Sequence, residues 1–389
     1  MNTMLNSAQI RGFFEGDGGI QVRVDPTKEG LSFRVQAKFG QNTNNVQILE
    51  WVKDSLDSSL TITSYDKTSS SSLVFPFSWE EDSAGFKFIK MYLENKPVNP
   101  GTLKDFLIGL IIHKYETNQI IPFSEESSEI LRKKSDADRK RIEVLSLLWL
   151  RFQRPATRVT EITHPIEYYQ DHLKASSEEI SEAERFGKEL LTPISQEVDK
   201  HIFNLENDKI QIFEDFLAYY HVADGGFSFD FNKRELAGGK IKIKIEPRWT
   251  ITDDLLAKPL LKRIIRQYRF SDYQPTGKNS GQARAKGWKK ALEVVIPFFK
   301  NRILPDVEIT KVQTFIRVCD LHYNKNTLKD ANMYRSYIRQ AYFLNSETSN
   351  RRTEETFERD HTREGGLWKI SCLILKKILL KKCKYSFKV

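Results

Sequence analysis

One short segment occurs twice in this chain. Residues Ile10-Arg11-Gly12-Phe13-Phe14-Glu15-Gly16-Asp17-Gly18-Gly19 return as Leu217-Ala218-Tyr219-Tyr220-His221-Val222-Ala223-Asp224-Gly225-Gly226. In each copy an apolar, helix-compatible run ends in Asp-Gly-Gly, and the glycines open an alternating stretch, Ile20-Gln21-Val22-Arg23-Val24 or Phe227-Ser228-Phe229-Asp230-Phe231. The pattern predicts a helix that stops at a carboxylate and hands over to a strand. Two such helices packed side by side with level ends bring Asp17 and Asp224 together, and like charges at short range require a bound cation. A single Asp-Gly reads as an ordinary tight turn. Two copies 207 positions apart, each followed by a strand, read as one device built twice.

The residues beyond the motifs continue the parallel. Leu31-Ser32-Phe33-Arg34-Val35-Gln36-Ala37-Lys38-Phe39 alternates, with Ser32, Arg34, Gln36 and Lys38 on one face, as in a half-buried strand. A cationic, amide-rich face of this kind bonds phosphates and base edges, and a β-ribbon fits a major groove. Residues 44–56 carry apolar residues at helical spacing with Trp51 toward the core, and 60–79 read as a hairpin with a polar tip. Helices follow at about 84–94 and 103–115. After Asp224 come strand 226–233 and Lys240-Ile241-Lys242-Ile243-Lys244-Ile245, with three lysines on one face. Such a row repels itself unless a polyanion neutralises it. A helix at 252–267, a strand with Gln282-Ala283-Arg284-Ala285-Lys286, and helices at 289–300 and 308–322 complete the second set.

The paired motifs and the order of elements after them resemble the LAGLIDADG homing endonucleases in their single-chain, two-repeat form, over residues 5–120 and 208–345. The resemblance implies an α+β fold of two pseudo-twofold-related αββαββα domains forming a DNA-binding saddle. It divides the chain into a first repeat (1–122), a helical extension and interdomain linker (123–205), a second repeat (206–350) and a basic C-terminal tail (351–389). It also implies a site-specific double-strand DNA endonuclease, reading a long target through β-ribbons. Asp17 and Asp224 are the expected ligands of Mg²⁺ or another divalent cation such as Mn²⁺, with the backbone of Gly16 and Ala223 beside them. Carried over by position, Gln41 matches a polar residue that orients solvent, with Arg248 in roughly the same place in the second repeat. Lys96 matches a basic residue near the scissile phosphate, with Lys300 or Arg302 as its counterpart. Gln21, Arg23, Arg34, Gln36, Lys38, Lys240, Lys242, Lys244, Arg284 and Lys286 are the expected DNA contacts.

Two departures stand out: Tyr219 replaces Gly12, which argues against equally close helix packing, and Val222 replaces Glu15. The alternative from this scaffold is an RNA maturase assisting a group I intron, which would keep a basic surface without needing the aspartates.

Composition agrees with a polyanionic partner. The net charge is +9, with 29% of residues charged. Three cysteines, Cys319, Cys372 and Cys383, suit neither a disulfide framework nor a zinc site. No run approaches the roughly 20 apolar residues that span a bilayer, so the expectation is a monomer without membrane attachment. The Lys, Asn, Ile, Phe and Ser usage suits an AT-rich genome, and the resemblance suggests an organelle-encoded chain, mitochondrial or chloroplast. The tail 367–389 holds seven lysines and no acid.

Overall fold

The computed structural model describes residues 3–65, 69–119, 123–153, 164–236, 240–324, 326–327 and 330–346. It contains two four-stranded antiparallel sheets of the same topology. Helix α1 (Ser7–Asp17) leads into β1 (Gly18–Thr27) and β2 (Gly30–Asn42), then α2 (Gln47–Leu56), β3 (Ile62–Tyr65), β4 (Ser70–Pro76), α3 (Ala84–Glu94) and α4 (Pro100–Glu116). After α5 (Glu125–Arg132), α6 (Asp136–Phe152), α7 (Ile166–His172) and α8 (Ser177–Glu206), the series recurs. It runs through α9 (Glu214–Asp224), β5 (Gly225–Leu236), β6 (Lys240–Asp254), α10 (Lys258–Tyr268), β7 (Asp272–Pro275) and β8 (Ser280–Lys286). Next come α11 (Trp288–Lys290), a π-helical turn (Ala291–Val295), α12 (Ile296–Phe299), α13 (Asp306–Tyr323) and α14 (Ala331–Ser346). The strand orders, β1-β2-β4-β3 and β5-β6-β8-β7, are the same arrangement, which is the physical content of the sequence repeat.

The chain forms two compact units. The first is 1–224 with 253–263, the second 225–252 with 264–389. Both motif helices, α1 and α9, belong to the first.

Alternation does the work predicted of it. In β2, Leu31, Phe33, Val35, Ala37 and Phe39 are buried while Ser32 and Arg34 face water. Around Phe39, Phe14 and Phe88 close an aromatic core, with Phe14 centroids 4.9 Å from Phe39 and 4.7 Å from Phe88 in edge-on contacts. In the second unit Trp249 is fully buried, 4.5 Å from Phe270 and 4.9 Å from Phe299.

One expectation needs correction. Strand β6 runs to Asp254 and α10 begins at Lys258, whereas the sequence pointed to a helix from 252. Thr250, Ile251 and Thr252 continue the alternation, and Asp254 then closes the turn by accepting from the amides of Leu256 (2.8 Å) and Ala257 (3.1 Å). The described part of the segment read as helical extension and interdomain linker is helical. The 30-residue α8 lies against α6 and α4. Arg151 at the end of α6 donates to Val22 O (2.9 Å), the Tyr169 hydroxyl donates to Val24 O (3.4 Å), and a His172 ring nitrogen is 3.1 Å from Thr27 O. Arg151 and Tyr169 thus take up carbonyls on the free side of the edge strand β1, and His172 lies at its hairpin end. The expected extended stretch 154–166 falls largely outside the described residues, as does the tail 351–389.

Candidate functional site

Helix α1 starts with a capping box. Asn6 accepts from the Gln9 amide (3.0 Å), and the Gln9 side chain accepts from the Asn6 amide (2.9 Å). The Asn6 side-chain amide also donates to Asp215 Oδ2 at 2.8 Å, tying the start of α1 to the start of α9. Along the crossing the two backbones nearly touch. A Cβ added at Gly12 would stand 2.1 Å from Phe216 O, and one at Gly16 would stand 2.4 Å from Ala223 Cβ and 3.3 Å from Asp224 Oδ2. Close packing therefore holds despite Tyr219, because Gly12 and Gly16 of α1, with Ala223 of α9, provide it and Tyr219 is buried at 1% exposure.

The last turns of the two helices meet at Gly16 and Ala223, so the Asp224 carboxylate stands beside the Gly16 backbone, one residue before Asp17. Asp17 and Asp224 are both half-buried. Gln41, near the end of β2, donates from Nε2 to Asp17 Oδ2 at 3.1 Å, so this sequence-predicted residue does reach its aspartate.

The second-repeat counterpart differs from expectation. Gly18 pairs with Phe39 in the first sheet and Gly225 with Ile251 in the second. Counting two residues on from each partner aligns Gln41 with Asp253, and three residues back aligns Gln36 with Arg248. Arg248 is thus a sheet-face residue, ion-paired with Asp230, and not the counterpart of Gln41. Asp253 accepts from the Tyr220 hydroxyl, from Asn99 Nδ2 at 3.0 Å and from its neighbour's amide at 2.6 Å. Withdrawal from water pushes its carboxyl up to about 7, against the pull of the Tyr220 hydrogen bond.

Glu15 is the second buried acid that sequence reasoning left unassigned. At 3% exposure it accepts the amides of Val98 and Asn99 at 2.7 Å each, with Arg11 Nε 3.8 Å away. Burial raises its carboxyl to about 7, opposed by Arg11 and the two amides. Asn99 joins the two acids, its backbone on Glu15 and its side chain on Asp253, while its Oδ1 caps α4 through the Gly101 amide (2.9 Å). An acid inside the apolar run of the first motif was the available signal for Glu15. Asn99 and Asp253 gave none.

Asp253 makes stability depend on pH. Its folded value lies above that of an unfolded Asp, so the folded chain holds the proton between about 4 and 7, and stability falls as pH rises through that window. Asp253→Asn should make the wild-type fall in urea midpoint between pH 4.5 and 7.5 shallower, leaving the part that Glu15 contributes. An unchanged slope would show that Asp253 does not titrate there.

Lys96, expected near the scissile phosphate, forms an ion pair with Glu197 on α8, while its carbonyl accepts from Arg11 at 2.7 Å. Arg11 lies six residues before Asp17, about 9 Å along the helix axis. The structure therefore holds Lys96 by the upper part of α1. Arg302 donates to Phe298 O (3.0 Å), with its guanidinium 4.6 Å from the Phe298 ring. Lys300 follows directly on α12.

On the polar face of the first sheet, β1 and β2 set Gln21 opposite Gln36 and Arg23 opposite Arg34, with Lys38 opposite Gly19. Among the described residues Arg23, Arg34 and Lys38 have no carboxylate within ion-pair distance. The second sheet differs: Arg284 pairs with Asp272 (Nε to Oδ1, 3.1 Å), and Lys286 with Asp230 (3.1 Å) and Glu246 (3.6 Å). Lys240, Lys242 and Lys244 fall in β6, and their side chains lie outside the described residues.

No group of three or more His, Cys, Asp or Glu side chains among the described residues could hold a metal ion. What the motif ends offer is two carboxylates flanked by the close backbones of Gly16 and Ala223. All are hard oxygen donors, and a cation such as Mg²⁺ takes one or two carboxylates and completes its shell with water and substrate phosphate. The residues fit that group.

A two-sheet chain with its motif helices crossing at paired aspartates has the fold of the LAGLIDADG homing endonucleases. The LAGLIDADG endonuclease family profile matches residues 10–113, the first repeat. Among solved structures, a point variant of I-SmaMI superposes with a TM-score of 0.61 at 15% identity, covering 89% of this chain and 100% of that one. The homing endonuclease I-GzeII in complex with its DNA target gives 0.60 at 12% identity, with 89% and 100% covered. I-SmaMI bound to uncleaved DNA in the presence of calcium gives 0.58 at 15% identity, with 88% and 99% covered. No curated protein matches the chain.

Proposed function

We propose that this protein is a site-specific DNA endonuclease that hydrolyses phosphodiesters in both strands of a long duplex target with the help of divalent cations. The observation that carries the reading is the crossing of α1 and α9, where Gly16, the residue before Asp17, packs against Ala223 and the Asp224 carboxylate. A bound cation there would polarise the scissile phosphate and offset the charge that develops on it. Asp17 and Asp224 would hold it. Gln41, donating to Asp17, fixes that carboxylate, and its amide oxygen, which accepts from the Asn42 amide at 2.7 Å, has a second lone pair with which to orient water. The unpaired cations of the first sheet supply attraction for the phosphate backbone, and Gln21 and Gln36 present amide groups suited to base edges. The neighbouring structures bound to DNA targets support the same reading.

The test is cleavage of a plasmid library carrying candidate insertion sites. A double-strand cut at one site with Mg²⁺, lost on chelation while duplex binding persists, is the expected result. Cutting that survives chelation would overturn the metal role, and tight binding only to folded intron RNA would replace the endonuclease with a maturase.

A further inference from the structure

The register that aligns the two repeats also aligns their polar faces, and at one place the charge is inverted. Arg23 lies five residues after Gly18, and Asp230 five after Gly225. Arg34 lies five before Phe39, and Glu246 five before Ile251. In each sheet the two residues are direct cross-strand partners, Arg23 with Arg34 and Asp230 with Glu246. Where the first sheet sets two arginines side by side, the second sets two carboxylates.

Like charges directly opposite on antiparallel strands destabilise the pair unless something neutralises them. In the first sheet both arginines are exposed and neither has a carboxylate partner among the described residues, so a polyanion is the natural neutralising group. In the second, neutralisation comes from the face itself. Arg248 pairs with Asp230, and Lys286 lies 3.1 Å from Asp230 and 3.6 Å from Glu246. A carboxylate on a nucleic-acid-facing surface repels phosphate and has one favourable use among base edges: accepting from an exocyclic amino group, the cytosine N4 or adenine N6 amine in the major groove. Arginine takes the opposite partner, the acceptor pair of guanine.

We propose that Asp230 and Glu246 are specificity-determining residues that read exocyclic amino groups in the half-site under the second sheet, while the equivalent Arg23 and Arg34 read acceptors in the other half-site. This rests on the endonuclease reading above. Asp230 has a second effect, because it holds Arg248 and Lys286. Their charge is unavailable to phosphate until the carboxylate finds an amino group, so binding energy at this place depends on sequence.

The experiment uses the full-length protein and its cleavage target in Ca²⁺, with every base pair of the target substituted in turn and binding followed by fluorescence anisotropy. Under the second sheet, one or two positions should require an amino-bearing base on the contacted strand, with roughly ten-fold weaker binding on substitution. Asp230→Asn and Glu246→Gln should bind random-sequence duplex several-fold more tightly than wild type and lose that discrimination. Arg34→Ala should instead weaken binding to the cleavage target and relax discrimination at one position under the first sheet, with little gain on random-sequence duplex. If Asp230→Asn leaves both random-duplex affinity and discrimination unchanged, or weakens all duplexes equally, the proposal fails while the endonuclease stands. If the wild-type protein binds no duplex, the endonuclease reading fails with it.

Discussion

Asp17→Asn and Asp224→Asn should each lower cleavage by at least about a thousand-fold, the loss typical of removing an electrostatic stabiliser from a water-excluded site. Asn keeps the shape of Asp and removes its charge, so the helix crossing and the sheet faces remain, and target affinity should stay within a few-fold of wild type. The two variants should also be distinguishable from each other. Asp17 receives a hydrogen bond from Gln41, whereas the aligned residue in the second repeat, Asp253, is engaged by Tyr220 and Asn99. With strands labelled separately, the wild type should therefore cut the two strands at unequal rates and accumulate a nicked species. Full-rate cutting of both strands by either variant would remove the paired aspartates from the mechanism.

Gly12→Val should be the most damaging single change to folding. Its first side-chain carbon would be placed 2.1 Å from Phe216 O, a backbone atom of the facing helix that cannot swing aside. Relief requires the crossing to open, and overpacking of this kind costs about 3 kcal/mol or more. A fall of several degrees in melting temperature, with purified protein prone to aggregate, is the expected measurement. Gly19→Ala is the control: nothing lies within 4 Å of its added Cβ, so its stability should match wild type within about 0.5 kcal/mol. Equal melting temperatures for the two variants would mean that α1 and α9 do not cross closely in solution.

Much of this arrangement was legible because it follows from local periodicity. A helix that ends in Asp-Gly-Gly and an alternating strand after it are properties of neighbouring residues, so the order of elements could be read directly. Gln41 was found by its position at the end of a strand. The counterpart of Gln41 was missed for a geometric reason. Gln41 lies 23 residues after Gly18, and counting 23 from Gly225 gives Arg248, but the β5–β6 hairpin is longer, so the aligned residue lies 28 along, at Asp253. Strand length shifts register without leaving a mark in the motif. The buried link from Glu15 through Asn99 to Asp253 was likewise hidden, since its members lie 84 and 154 residues apart and only tertiary packing joins them. Lys96 was assigned by position, and its ion pair with Glu197 depends on a helix 101 residues away.

The carbonyls of β1 that Arg151, Tyr169 and His172 satisfy bear on how such a chain can be divided. By sequence, residue 122 looks like the end of a free-standing half and the helices after it like a tether. Chemically they are a cover, since Arg151 and Tyr169 occupy the side of β1 on which another strand would otherwise pair. A half cut at 122 would carry an open, twisted ribbon edge and would find its missing partner in its own copies. The divisible unit of this molecule is therefore longer than its repeat, and any exchange of halves has to carry the helices through α7 along with the first sheet.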